Sequence, residues 1–200
     1  MPIRHIYTDN SLNNLSINAD NNYPVYLEAV TEMQKRLLYM LKKHSQIFVG
    51  HIELRFPEWM PPQNNNTHIS NTIRKIKMKF NRENIDIQLA WARERRYSAN
   101  CHYHCYIICD ANRVQHIHRI ASFINEIWSR EIGCFPESNY ARYCPPQDRD
   151  CSGIRIIRNS PDVEIQLNNA SHWMSYGAKV AEKEELTGCR MFGFTQIPKA

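Results

Sequence analysis

The sequence predicts an α+β fold, an antiparallel sheet with helices packed on it in the ferredoxin-like or RRM-like manner. Three observations predict it. Apolar residues recur at helical spacing in separate stretches, β-branched and aromatic runs of strand length lie between them, and two of those runs are joined by a link short enough for a hairpin. The chain has 200 residues with 42% hydrophobic content, enough for a real core. Lys and Arg outnumber Asp and Glu by 25 to 20, a mild excess that favours a polyanionic partner. No run approaches the roughly 18 uncharged apolar residues of a membrane span, and the N-terminus lacks the layout of a signal peptide, so a cytoplasmic protein without a membrane partner is expected. The seven cysteines (101, 105, 109, 134, 144, 151 and 189) form no CxxC pair, which argues for reduced, mostly buried thiols over a disulfide framework or a zinc knuckle.

Residues 1–22, rich in Asn, Asp and Ser, read as a flexible arm, and residues 23–200 as one domain. In residues 24–43, Tyr26, Val30, Met33, Leu37, Leu38 and Leu41 repeat at helical spacing, and the basic pair Lys42 and Lys43 suits the helix end. Gln46 to Phe56 is a strand stopped by Pro57. A second helix fits residues 68–82, with Ile69, Ile73, Ile76 and Phe80 on one side and Arg74, Lys75, Lys77 and Lys79 on the other. Residues 85–96 and 102–109 are two strands of an antiparallel hairpin. A helix over 114–131, a short strand over 153–158 and a last helix over 167–185 complete the order.

Strand parity singles out one metal constellation. His102, His104, Tyr106 and Ile108 fall on one face, and Cys101, Tyr103, Cys105, Ile107 and Cys109 on the other. Two imidazoles one pleat repeat apart point at a single ion, and the hairpin brings Glu94 alongside. The trio Glu94, His102 and His104 leaves coordination positions open for water and a phosphate oxygen. His116 and His118 have the same spacing but lie in a helix, where residues two apart diverge by roughly 200° and cannot share an ion. Near the C-terminus, Tyr176 and Lys179 share a helix face, with Lys183 one turn further on. A lysine so placed can steady charge at a phenol or a phosphate.

His102-Tyr103-His104 on a strand, followed by Tyr176-Gly177-Ala178-Lys179, resembles the HUH endonuclease superfamily of single-strand nickases. Within it the sequence is most similar to filamentous-phage (inovirus-type) replication proteins and YagK/YfjJ-type prophage proteins, from about Gln46 to Pro198. There Glu94 looks like the acidic ligand, and Gln46 to Pro57 occupies the place of the first motif, with Glu53 where an Asp is usual. The resemblance implies Mg²⁺ or Mn²⁺ held by Glu94, His102 and His104, and Tyr176 as nucleophile with Lys179 assisting. The product would be a 5′-phosphotyrosine link with a free 3′-hydroxyl, initiating rolling-circle replication of a phage, prophage or plasmid element in a bacterial host.

DNA is then expected on Arg74, Lys75, Lys77, Lys79, Arg93, Arg95, Arg96 and Lys183, with stacking on Trp91 or Trp173. Single-stranded or origin DNA would be the partner, not a small-molecule substrate. Without a GxxxxGK[ST] loop, a host helicase and a DNA polymerase would be needed as well. The competing readings are a single-tyrosine transposase or relaxase and a non-cleaving RRM-like single-stranded nucleic-acid-binding module, which would need no metal.

Overall fold

A computed structural model describes residues 5–95, 99–114, 116–146, 153–181, 183 and 188–198. In chain order the elements are β1 (Ile6–Tyr7), β2 (Ser11–Leu12), β3 (Leu15–Ser16), β4 (Val25–Tyr26), α1 (Leu27–Lys43), β5 (Gln46–Arg55), α2 (Thr67–Arg82), β6 (Ile87–Glu94), β7 (His102–Asp110), α3 (Ile117–Glu131), β8 (Ala141–Tyr143), β9 (Ile154–Ile157), α4 (Val163–Ser175) and β10 (Phe192–Phe194). No described helix is long and apolar enough to cross a membrane.

The central sheet runs β10-β6-β7-β5, and the outer edge of β5 is shared by β8 and β9. Every pairing in it is antiparallel. Helices cover both faces. On one, Ile69, Ile76 and Phe80 of α2 and Ile117, Ile120, Ile124 and Trp128 of α3 pack on Leu54, Leu89, Tyr103 and Ile107. On the other, Val30, Met33, Leu37 and Met40 of α1 and Ala170 and Met174 of α4 pack on Val49, Ala90, Tyr106 and Ile108. A fully buried Leu, Ile, Met or Phe contributes about 1.5–3 kcal/mol, so both layers are held firmly. Among the described residues, the sheet therefore offers no open aromatic face of the kind the RRM-like binding module needs.

Several elements depart from expectation. Among residues 5–22, Ile17 and Ala19 are buried in the α1/α4 layer, β1 pairs with β4, and β2 pairs with β3. The polar composition suggested a loose arm, but its few apolar residues are the ones that dock. Asn13 and Asn14 both take positive φ (52° and 61°), the turn that closes a two-residue hairpin. The last helix also begins earlier and ends at Ser175, and Tyr176–Ala178 forms a 3-10 turn. At the sheet edge, Phe192-Gly193-Phe194 crosses the indole of Trp91, where a Cβ on Gly193 would overlap the ring.

Candidate metal centre and nucleophile

Register assembles the site. Across β5 and β7, His51 lies opposite Tyr106, Glu53 opposite His104 and Arg55 opposite His102. Across β6 and β7, Glu94 lies opposite His102. Directly opposed residues of an antiparallel pair share a face, so three strands deliver His51, Glu53, Arg55, Glu94, His102 and His104 to the face carrying α1 and α4. Cys101 and Cys105 fall on the opposite face and pack in the α2/α3 layer. His116 and His118 are exposed.

The His102 and His104 Nε2 atoms are 3.2 Å apart, and Glu53 Oε1 is 3.5 Å from His102 Nε2. One ligand atom from each of these three residues lies within 4.8 Å of the others. Two nitrogens at about 2.1 Å from one ion and roughly at right angles are about 3 Å apart, so the imidazoles already stand near ligand spacing. Burial, reinforced by His104, pushes His102 below the ordinary histidine range against the pull of Glu53 and Glu94. An imidazole must be uncharged to bind a cation, and two of them with a carboxylate fit a divalent ion.

Behind His104 sits His51, fully enclosed, its Nε2 2.9 Å from His104 Nδ1. Burial and then His104 hold His51 well below the usual range, so it is neutral and can accept the Nδ1 proton. With its proton on Nδ1, His104 would have the Nε2 lone pair free for a cation, in place of the contact Nε2 otherwise makes with Glu94.

Two carboxylates border the histidines where one was expected. Glu94 does approach the histidines, its Oε2 3.1 Å from His104 Nε2 and 3.7 Å from His102 Nε2. It is also engaged by cations: Lys183 Nζ pairs with its Oε1, and Lys179 Nζ lies 3.6 Å from its Oε2. Burial alone would raise this carboxyl, but the hydrogen bond to His104 and the charges of Lys183 and His104 outweigh it, holding it well below the carboxylate range. Glu53 and Glu94 thus both reach the histidine pair, and Glu94 alone also anchors the lysines.

Lys179 Nζ donates to the Tyr176 hydroxyl at 2.9 Å and lies 4.2 Å from its ring centroid. In a 3-10 turn residues three apart eclipse, so Tyr176 and Lys179 still share a side although the α-helix has ended. The Tyr176 and His104 rings are edge to face at 6.2 Å. Three contacts steady this turn: Asn18 N donates to Ser175 Oγ at 2.7 Å, Val180 N donates to Pro24 O at 2.8 Å, and Val25 bridges Lys179.

A cleft of about 860 Å³ opens over the site, lined by Glu53, Glu94, His102, His104, Tyr176 and Lys179 and walled by Arg55, Arg142, Trp59 and Tyr140. Sequence reasoning missed these walls. Trp59, 70% exposed, lies in the loop after Pro57, and Arg142 arrives on the short β8. Only the alternation His51-Glu53-Arg55 along β5 was a readable signal for any of them.

The other expected DNA contacts are placed differently. Trp91 and Arg93 point to the α2/α3 side; Trp91 is buried in that layer, and Arg93 is fully buried, donating to Asn65 O at 3.0 Å and to Gln63 O. Arg95 reaches toward Gln63 O at 3.4 Å, and Arg96 lies outside the described residues. Arg74, Lys75, Lys77 and Lys79 ride on α2, across the sheet from the ligands, with Lys75 paired to Glu131 and Lys79 to Glu83. Lys183 turns inward onto Glu94 instead of outward to a phosphate. Trp173 does border the site, its ring 5.9 Å from that of His51.

A family model, the YagK/YfjJ C-terminal domain, matches residues 8–195. No curated protein and no solved structure matches the chain.

Proposed function

The chain belongs to the YagK/YfjJ C-terminal domain family, and from that premise we propose that it nicks and rejoins single-stranded DNA through a 5′-phosphotyrosine on Tyr176. The observation that carries this reading is the Tyr176 hydroxyl, held by Lys179 at 2.9 Å, in the same cleft as the Glu53, His102 and His104 cluster. A divalent ion there, Mg²⁺ or Mn²⁺, would supply the positive charge that polarises the scissile phosphate.

The remaining steps belong to side chains. The Lys179 ammonium favours the phenolate of Tyr176, whose proton passes to solvent. Tyr176 Oη attacks phosphorus in line, the bond to the 3′-oxygen breaks, and that oxygen takes up a proton as it leaves. Glu94 keeps Lys179 in the cleft and pairs with the buried side chain of Lys183, and Arg55 and Arg142 offer charge to the flanking phosphates. Because the phosphotyrosine retains the bond energy, the 3′-hydroxyl can later reverse the step, and a polymerase can extend it to start rolling-circle replication. Single-stranded or origin DNA and a host helicase are the partners this role requires.

The test is incubation of the full chain with single-stranded oligonucleotides from candidate origins and Mn²⁺, followed by denaturing electrophoresis. A covalent protein–DNA species is expected with the native chain and none with Tyr176→Phe, which keeps DNA binding. An adduct that survives in Tyr176→Phe refutes the nucleophile, and no adduct on any candidate origin refutes nicking.

A further inference from the structure

A second cavity, of about 620 Å³, shares His104 and Tyr176 with the first cleft. The two differ in chemistry. The first is lined by the cations Arg55, Arg142 and Lys179 together with the carboxylates Glu53, Glu58 and Glu94, whereas no described residue lining the second is a lysine or arginine, and its one acidic residue among them is Asp20. Its walls are aromatic and imidazole rings, Tyr23, His172 and Trp173, with prolines 145 and 146, and the amides of Asn18 and Asn169 give it polar edges. Among the described residues this pocket offers a phosphate no fixed cation, whereas flat rings with a few hydrogen-bonding groups suit a nucleobase. Its volume falls in the range of about 300–1,000 Å³ typical of ligand pockets.

The walls are also set in advance. Asp20 Oδ1 accepts from Asn22 N at 2.7 Å and from Tyr23 N at 2.8 Å, and Asp20 and Tyr23 exchange backbone hydrogen bonds of 3.2 and 3.1 Å. That closed turn holds the half-exposed Tyr23 at the rim. Trp173 stands edge-on to His51 and Tyr106, at centroid distances of 5.9 and 6.3 Å.

We infer that this cavity is a nucleobase pocket, which takes one unstacked base of single-stranded DNA beside the phosphate held in the first cleft, with Tyr23 and Trp173 stacking on it and Asn18 and Asn169 reading its edge. The inference rests on the reading of Tyr176 as the nucleophile only for the identity of that phosphate. Tyr176 and His104, common to both cavities, form the partition between base and backbone.

The experiment is run in EDTA, without cutting. The full chain is irradiated with a random single-stranded 12-mer carrying bromodeoxyuridine, and cross-linked peptides are identified by mass spectrometry. In parallel, anisotropy compares the base-bearing 12-mer with an abasic 12-mer for the native chain, Tyr23→Ala and Trp173→Leu, the folding of each variant being checked by circular dichroism. Cross-links at Tyr23 or Trp173 are expected, with at least about fivefold weaker binding of the base-bearing strand by Tyr23→Ala and unchanged binding of the abasic strand. Cross-links confined to other residues such as Trp59, together with native affinity in both variants, would overturn the pocket. A missing adduct in Mn²⁺ speaks against Tyr176 alone, so the two failures are told apart.

Discussion

Replacing Glu94 by Gln separates the two carboxylates of the site. The amide keeps the shape but removes the charge that faces Lys183 and Lys179, whose side chains are 0% and 5% exposed. Breaking a buried ion pair from one side costs about 3–5 kcal/mol, because the desolvated partner is left without its counter-charge. For a chain of this length each kcal/mol is worth about 2–4 °C, so Glu94→Gln is expected to melt about 6–20 °C lower in EDTA. Glu53 has a different setting: its partner Arg55 lies 2.8 Å away and is 53% exposed, a pair worth at most about 1 kcal/mol. Glu53→Gln should therefore melt near the native temperature while losing at least about tenfold in Mn²⁺ affinity, comparable to the loss of a supporting group around a metal. Thermal melts followed by circular dichroism and Mn²⁺ titrations by calorimetry read both quantities. If Glu94→Gln melts within about 2 °C of the native chain yet binds no Mn²⁺, and Glu53→Gln binds it normally, the assignment of the two carboxylates is reversed.

Three further outcomes follow from the geometry. A Cβ on Gly177 would lie 2.5 Å from Tyr106 Cε2, and Tyr106 is fully buried and stacked on His51 at 4.4 Å; Gly177→Ala must therefore push the Tyr176 turn aside. The expected cost is about 1–3 kcal/mol in stability, with adduct formation slowed about 100-fold in single-turnover assays, and a native rate would contradict the packing argument. His51→Phe keeps a ring on Tyr106 but removes the acceptor for His104 Nδ1, so Mn²⁺ affinity measured by calorimetry should fall about 10- to 100-fold. For Asp86, burial raises the carboxyl, but hydrogen bonds with Lys43 and His44 outweigh it and lower its pKa in the fold. Its contribution is thus complete above about pH 4 and is lost as pH falls through the lowered value. Asp86→Asn should be less stable than the native chain in urea melts at pH 7, with the difference vanishing as pH falls through the lowered value.

Local periodicity carried most of what was readable. His102 and His104 could be paired because a strand alternates, and Glu94 could be placed because a hairpin folds back at short range. The same parity, applied along β6, puts Trp91 and Arg93 on the opposite face from Glu94, and would have removed both from the expected DNA contacts. Glu53 was harder, since its place depends on β5 pairing with β7 across an intervening helix and strand, a long-range register that no local pattern specifies. The basic side of α2 was correctly read as exposed, but which sheet face a helix covers is decided by chain crossover, and this one covers the far face. In the N-terminal segment, Leu-Asn-Asn-Leu held a hairpin signal that the polar composition concealed.

The N-terminal strands and the late lysines bear on when the site comes into being. Residues 18, 24 and 25 brace the turn that carries Tyr176, and Lys183 closes on Glu94 from beyond it. The Tyr176 phenol is therefore positioned by contacts between residues far apart in the chain, which loop-closure entropy makes slow to form. On the ribosome, a chain that has emerged only as far as β7 carries both histidines but neither the phenol nor its lysine. Synthesis itself thus keeps the Tyr176 turn unbraced until both the segment around residues 18–25 and the one around residues 175–183 have been made.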